Sequence, residues 1–250
     1  MELTVAVVLV GTLATFVFGL AKTAVPAAGS FGAALLTLVL PALPSTGVAL
    51  PVLIVGDLVA LAIYGRHAEA RVLLRMLPAV AVGLAAGFAV LDQIDRTVAA
   101  RVIGALLLVS GAGEILRRRR AAAHGGAPAP SRQGSAVSLT LGAGAGFSTM
   151  VANAGGPMMT LYLLRLGVGR HAFIGTVAWF FFAVNVLKVP FSASLGLITP
   201  SSLVISAALV PGIVVGALLG RRLALGMSRQ VFENLALVAT AAAGAWLLLV

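Results

Sequence analysis

Three observations predict an all-α polytopic membrane protein. Only 10% of the residues are charged, mean hydropathy is +1.11, and apolar runs of membrane-spanning length recur along the whole 250-residue chain. Soluble domains carry about 25% charged residues, whereas runs of about 17–25 apolar residues read as transmembrane helices. Polar connections and helix breakers divide the chain into about ten segments: 3–20, 26–43, 47–64, 72–91, 98–116, 136–152, 156–166, 172–189, 202–220 and 231–250.

The first run follows Glu2 with no lysine or arginine ahead of it. A secretory signal opens on a basic region, so this run reads as a retained first helix. The seventh run, 156–166, is too short to span unaided. The net charge of +10 does not indicate a nucleic-acid partner, because the basic residues sit in short connections rather than on one soluble face. Numbered from the N-terminus, the odd connections hold fourteen of the 17 lysines and arginines; the even ones hold Arg96, Arg101 and Lys188. Loop lysine and arginine bias sets orientation, which puts the odd connections in the cytoplasm and both termini outside.

The stretch RRRRAAAHGGAPAPSRQG, residues 117–134, is rich in Gly, Pro, Ser and charge and reads as a flexible cytoplasmic linker. It sets off a first unit at 1–116 and a second at 136–250, with the linker occupying 117–135. The two units align. LPAVAVGLAAG (77–87) lies over VPGIVVGALLG (210–220), matching Pro78 with Pro211, Gly83 with Gly216 and Gly87 with Gly220. The same offset of 133 pairs Arg96 with Arg229, an offset of 127 pairs Gly19 with Gly146 and Gly29 with Gly156, and one of 128 pairs Asp57 with Asn185. Two units of five segments each cross in opposite senses, because five is odd. Inverted repeats of this kind are a signature of secondary transporters, whose sites lie at discontinuous helices near the bilayer midplane. A gene duplication with no transport role would leave the same trace.

Within the apolar run GFSTMVANAGGPMMTLYLL (146–164) lie Ser148, Thr149, Asn153, Gly155, Gly156 and Pro157. Irregular backbone at membrane depth is tolerated only where it is buried in protein or lines a watery cavity. A helix restarting at this break turns unpaired N–H groups and its positive dipole end toward the interruption, an arrangement that binds anions. The matching stretch, GLAKTAVPAAGS (19–30), holds Lys22, Thr23, Pro26, Gly29 and Ser30, and neither stretch contains a carboxylate. The candidate substrate-binding residues are therefore Lys22, Thr23, Ser30, Ser148, Thr149, Asn153, Gly155, Gly156 and Asn185, and the local inventory favours a small anion. The alternative is that the glycines only allow close helix packing.

Asp57 is central in segment 47–64, and an acid inside the membrane is a functional hypothesis by default. Asp57 either carries a coupling proton or is held by Lys22 or Lys188. Lys188 lies three residues after Asn185, on nearly the same helix face, unless it snorkels to the interface. Glu114, one turn before the arginine run, reads as a surface ion pair. His67, His124 and His171 fall in separate connections, and no metal or cofactor is expected. Trp179 and Trp246 read as packing or interfacial anchors.

GFSTMVANAGGPMMTLYLLRLGV, followed by GTVAWFFFAVNVLKVPF and then LGLI at 195–198, resembles the TauE/SafE-type sulfite and organosulfonate exporters, also called toluene-sulfonate uptake permeases. A weaker echo lies at 19–36, where Lys22 and Pro26 stand in a stretch that carries more glycines in the family. The resemblance implies a bacterial inner-membrane carrier of small sulfur-containing anions such as sulfite, organosulfonates or sulfoacetate, driven by the proton gradient. Two other classes compete. A passive anion channel could use the same breaks, and an intramembrane lipid-phosphate enzyme would need acid–base pairs or a metal, whereas Asp57 is the one carboxylate expected at depth.

Overall fold

A computed structural model describes residues 4–90, 96–123 and 136–249, and the described residues form helices and turns with no strand. Helix α1 (Val5–Thr23) starts at Thr4, whose hydroxyl accepts from the Val7 N–H at 3.3 Å. It stops because Pro26 disfavours helical geometry in the residue before it: Val25 is extended at φ −124°, ψ 90°. One 3-10 turn, Pro26–Ala28, then leads into the short α2 (Gly29–Thr37). Helix α3 (Ala42–Tyr64) runs through Pro51 and ends in a second 3-10 turn, Gly65–His67. Helices α4 (Ala70–Val90), α5 (Arg96–Ala123) and α6 (Ala136–Ala152) follow. Helix α7 (Gly155–Leu166) ends on Gly167 in the left-handed region, and α8 (Arg170–Ser194) carries Pro190 near its end. Thr199 and Ser202 cap α9 (Pro200–Gly226) reciprocally, with Pro200 in the first turn, where its missing N–H costs nothing. Helix α10 (Arg229–Leu249) closes the described chain.

Among the described residues, six stretches are long and apolar enough to cross a membrane: α1, residues 44–67, α4, α8, α9 and residues 230–249. Residues 136–151 form a shorter apolar helix. The expected segment 26–43 is not one helix, because Pro26 and Pro41 confine α2 to nine residues. The first residues of the stretch expected as a linker, 117–123, are helical. The arginines and alanines at 117–123 are strong helix formers and continue α5 to Ala123, while residues 124–135 and His124 lie outside the described residues.

Close backbone approaches set the packing. A Cβ on Gly19 of α1 would overlap the Ile213 carbonyl and the Ala217 amide of α9, and one on Gly216 would overlap the Phe16 carbonyl. Between α4 and α6, a Cβ on Gly146 would overlap the Val80 carbonyl and crowd the Leu84 amide, and one on Gly83 would overlap the Ala143 carbonyl. Hydroxyls reinforce the first pair: Thr15 donates to Leu209 O at 3.0 Å and Thr23 to Ala217 O at 2.7 Å. Helix α3 packs on α8 and α9, and α5 packs on α10. The polarity is inside-out relative to a soluble protein. Val5, Leu9, Leu74 and Val109 are exposed, whereas Lys22, Asp57, Asn185 and Lys188 are buried.

Glu114 is not at the surface as expected. It is fully buried, 3.0 Å from Arg118 Nε and 3.9 Å from Arg165 Nε of α7, and Arg118 also reaches Glu233 of α10 at 3.0 Å. Arg118, one turn on, folds back over Glu114 and Arg165 approaches it from α7, so a carboxylate near a charged run ends up covered.

A candidate anion site between two helix breaks

The two interruptions meet. Gly156, in the first turn of α7, sits against the Pro26 carbonyl so closely that a Cβ would overlap the oxygen. The second break is made by Asn153 at φ 51°, a left-handed conformation that asparagine tolerates better than other side chains. It separates α6 from α7 by two residues, Asn153 and Ala154.

Four polar side chains converge on this junction from three helices. Lys22 Nζ lies 2.5 Å from Asp57 Oδ1, and Asn185 Nδ2 donates to Asp57 Oδ2 at 2.7 Å. Lys188 Nζ donates to the Thr149 carbonyl at 2.7 Å and to Asn153 Oδ1 at 2.6 Å. Lys22 Nζ also stands 4.6 Å from the centre of the Phe181 ring. Lys188 is 4% exposed. It does not snorkel to an interface but turns inward, toward the carbonyl end of α6, where the helix dipole is negative.

Of the two candidate holders of Asp57, the structure uses Lys22. Its ammonium is matched by a carboxylate, while Lys188 has, among the described residues, only neutral oxygens and a helix end as partners. Two lysines and one carboxylate give the buried cluster, among the described residues, one more basic group than it has acids to pair with. Charge on that group, taken out of water without a counter-ion, costs several kcal/mol by about the measure of an unpaired buried ion.

Beside the cluster lies a pocket of about 30 Å³ bordered by Lys22, Thr149, Asn153, Gly156, Asn185 and Phe181. That is room for one or two waters and less than an anion with three or four oxygens needs. The remaining sequence-predicted residues lie around it. Gly155 opens α7 and packs against Thr149 and Phe181. The Thr23 hydroxyl is turned to α9, and Ser148 donates to Gly144 O at 2.7 Å within its own helix. Ser30 Oγ is buried with no hydrogen-bond partner among the described residues.

Sequence reasoning missed the apolar wall formed by Phe18, Leu53 and Phe181. Phe181 could have been found: it stands four residues before Asn185 and seven before Lys188, on one face of α8.

Apolar spans packed around broken helices and buried ionisable groups define a multi-pass membrane protein. Residues 3–247 match the family model described as sulfite exporter TauE/SafE, essentially the whole chain, and the protein belongs to that family. No curated protein and no solved structure matches the chain.

Proposed function

We propose that the protein carries a small sulfur-containing monoanion, such as hydrogen sulfite or an organosulfonate, across a bacterial inner membrane by alternating access. Its site is the junction of the two helix breaks. The observation that carries this reading is Lys188, buried with no acidic partner among the described residues beside the paired Lys22 and Asp57; as an ammonium it gives the junction one positive charge in excess. One singly charged anion neutralises it, and the start of α7 adds backbone N–H donors. Lys188 uses two of its three hydrogens on Thr149 O and Asn153 Oδ1 and offers the third to the cargo.

Asp57 supplies the coupling. A proton on Asp57 removes the one negative charge and releases Lys22, so proton and anion each favour binding of the other. This linkage is reciprocal, and cargo bound together with one proton adds no net charge. The direction of net flux then follows the combined gradients of cargo and protons.

An inverted repeat provides the alternating motion, and the packing supports it. Gly19 meets Ile213 and Ala217 as Gly146 meets Val80 and Leu84. These partners match under the offsets of 127 and 133 that align the two units in the sequence. Asp57 and Asn185, paired by the offset of 128, touch each other, as residues beside a pseudo-twofold axis do. The 30 Å³ pocket favours a carrier over a passive channel, since a pore needs a continuous wet path.

The test is counterflow in proteoliposomes. Saturable exchange of sulfite or an organosulfonate, abolished in Lys188→Met protein that still folds, supports the reading. Undiminished exchange in that variant removes the site, and conductance without exchange replaces the carrier with a channel.

A further inference from the structure

A second cluster of donors sits at the other end of α3. Tyr64 closes that helix, His67 ends the 3-10 turn after it, and His171 lies in the first turn of α8. The His67 and His171 rings are 5.4 Å apart, and Tyr64 and His171 are 6.0 Å apart, centre to centre. Arg170 bonds the Met227 carbonyl through Nη1 and, with Arg221 of α9, brings guanidinium charge to bear on Tyr64. Arg170 and His67 are the ionisable neighbours that act on His171, and no carboxylate is among those acting on either ring.

Two polar atoms in this cluster are buried without a hydrogen-bond partner among the described residues: the Tyr64 hydroxyl and His67 Nδ1. A buried hydroxyl left unpaired costs about 1–3 kcal/mol. Most buried polar atoms in folded proteins are satisfied by protein or water, so two orphans, one of them in the field of two arginines, call for a partner. The rim, formed by His171 and Arg221, is exposed, so that partner can arrive from solution.

We propose that Tyr64, His67, His171, Arg170 and Arg221 form a second site, which takes a soluble oxyanion with three or four oxygens. It is distinct from the break junction. Tyr64 is seven residues beyond Asp57, about 10 Å along the axis of α3, and none of its residues borders the pocket at Lys22. Tyrosine and histidine donors with guanidinium groups are the usual chemistry of sulfur and phosphorus oxyanion recognition. The fold places them at the end of the bundle where α3, α8 and α9 converge, as a collecting point for anions approaching from that side.

Trp179 reports on this site, because its indole N–H donates to the Gly65 carbonyl at 3.2 Å. Purified Trp246→Phe protein in neutral detergent, titrated with sodium sulfate at constant ionic strength, isolates that signal. The proposal expects a saturable change in Trp179 fluorescence, with an apparent affinity weakened about tenfold by Tyr64→Phe or His171→Gln. Tyr64→Phe removes a hydroxyl with no partner and so leaves folding intact, as its melting temperature checks. Lys188→Met, which disables the break junction, is expected to leave the sulfate response unchanged. An absent or non-saturating response overturns the proposal, as does one indifferent to Tyr64→Phe and His171→Gln or one lost in Lys188→Met alone. A response produced by phosphatidylglycerol in nanodiscs but not by sulfate assigns the cluster to a lipid and also overturns it.

Discussion

Asp57 and Asn185 are joined by a 2.7 Å hydrogen bond between α3 and α8, both side chains sealed from solvent. The aspartate half of this bridge is also the counter-ion of Lys22, 2.5 Å away, so one carboxylate holds three helices together.

Replacing Asp57 by Asn strands a buried ammonium and should lower stability by about 3–5 kcal/mol, read as a fall in melting temperature. Adding Lys22→Met to that variant removes the stranded charge and should restore most of the loss. Transport, in contrast, should stay absent in the double variant. A double variant no more stable than Asp57→Asn would show that the two groups are not energetically coupled.

Asn153 has separable roles, and substitution can divide them. Asn153→Gly keeps the left-handed backbone, which glycine adopts freely, but removes the oxygen that Lys188 binds at 2.6 Å. Folding should be close to wild type and anion affinity weakened about tenfold, measured as the half-saturating cargo concentration in counterflow. Asn153→Val should instead destabilise the protein, because a branched side chain resists positive φ.

Gly156→Ala pushes a methyl group into the Pro26 carbonyl and should pry the two breaks apart, at a cost of about 1–3 kcal/mol. Gly111 of α5 has nothing within 4 Å of an added Cβ, so Gly111→Ala is the matched control. It should be neutral or slightly stabilising. Thermal denaturation of the two variants side by side distinguishes them, and equal losses would mean that the contact between the breaks carries no special weight.

Glu114→Gln discharges the acid between Arg118 and Arg165. Arg118 retains Glu233, so the loss should be about 1–3 kcal/mol rather than that of a fully stranded ion. The effect should appear as faster hydrogen exchange at the contacts of α7 with α5 and α10. No change in exchange there would show that the pairing is incidental.

Much of this arrangement was legible in the sequence, and the misses have physical causes. Proline and glycine mark backbone geometry directly, so the interruptions near Pro26 and Gly155 could be placed to within a few residues. Charge inside an apolar run is rare enough to stand out, and Lys22, Asp57 and Lys188 all drew attention for that reason. Which lysine answers Asp57 depends on helix rotation, which spacing alone leaves open. The hydroxyls of Thr23 and Ser148 looked like ligands because composition cannot tell a hydroxyl facing a pocket from one bonded to a backbone carbonyl. Arg118 curling back over Glu114, with Arg165 arriving from α7, gave no periodic signal. The apolar wall at Phe181 was hidden for the opposite reason: one more phenylalanine among neighbours just as greasy.

The smallness of the pocket beside Lys22 has a consequence for the cell's energy economy. A hollow of about 30 Å³, walled by Phe18, Leu53 and Phe181, is smaller than a hydrated ion. If the protein is the carrier proposed above, it should behave at rest as a plug and leave the voltage across the bilayer intact when there is nothing to ship.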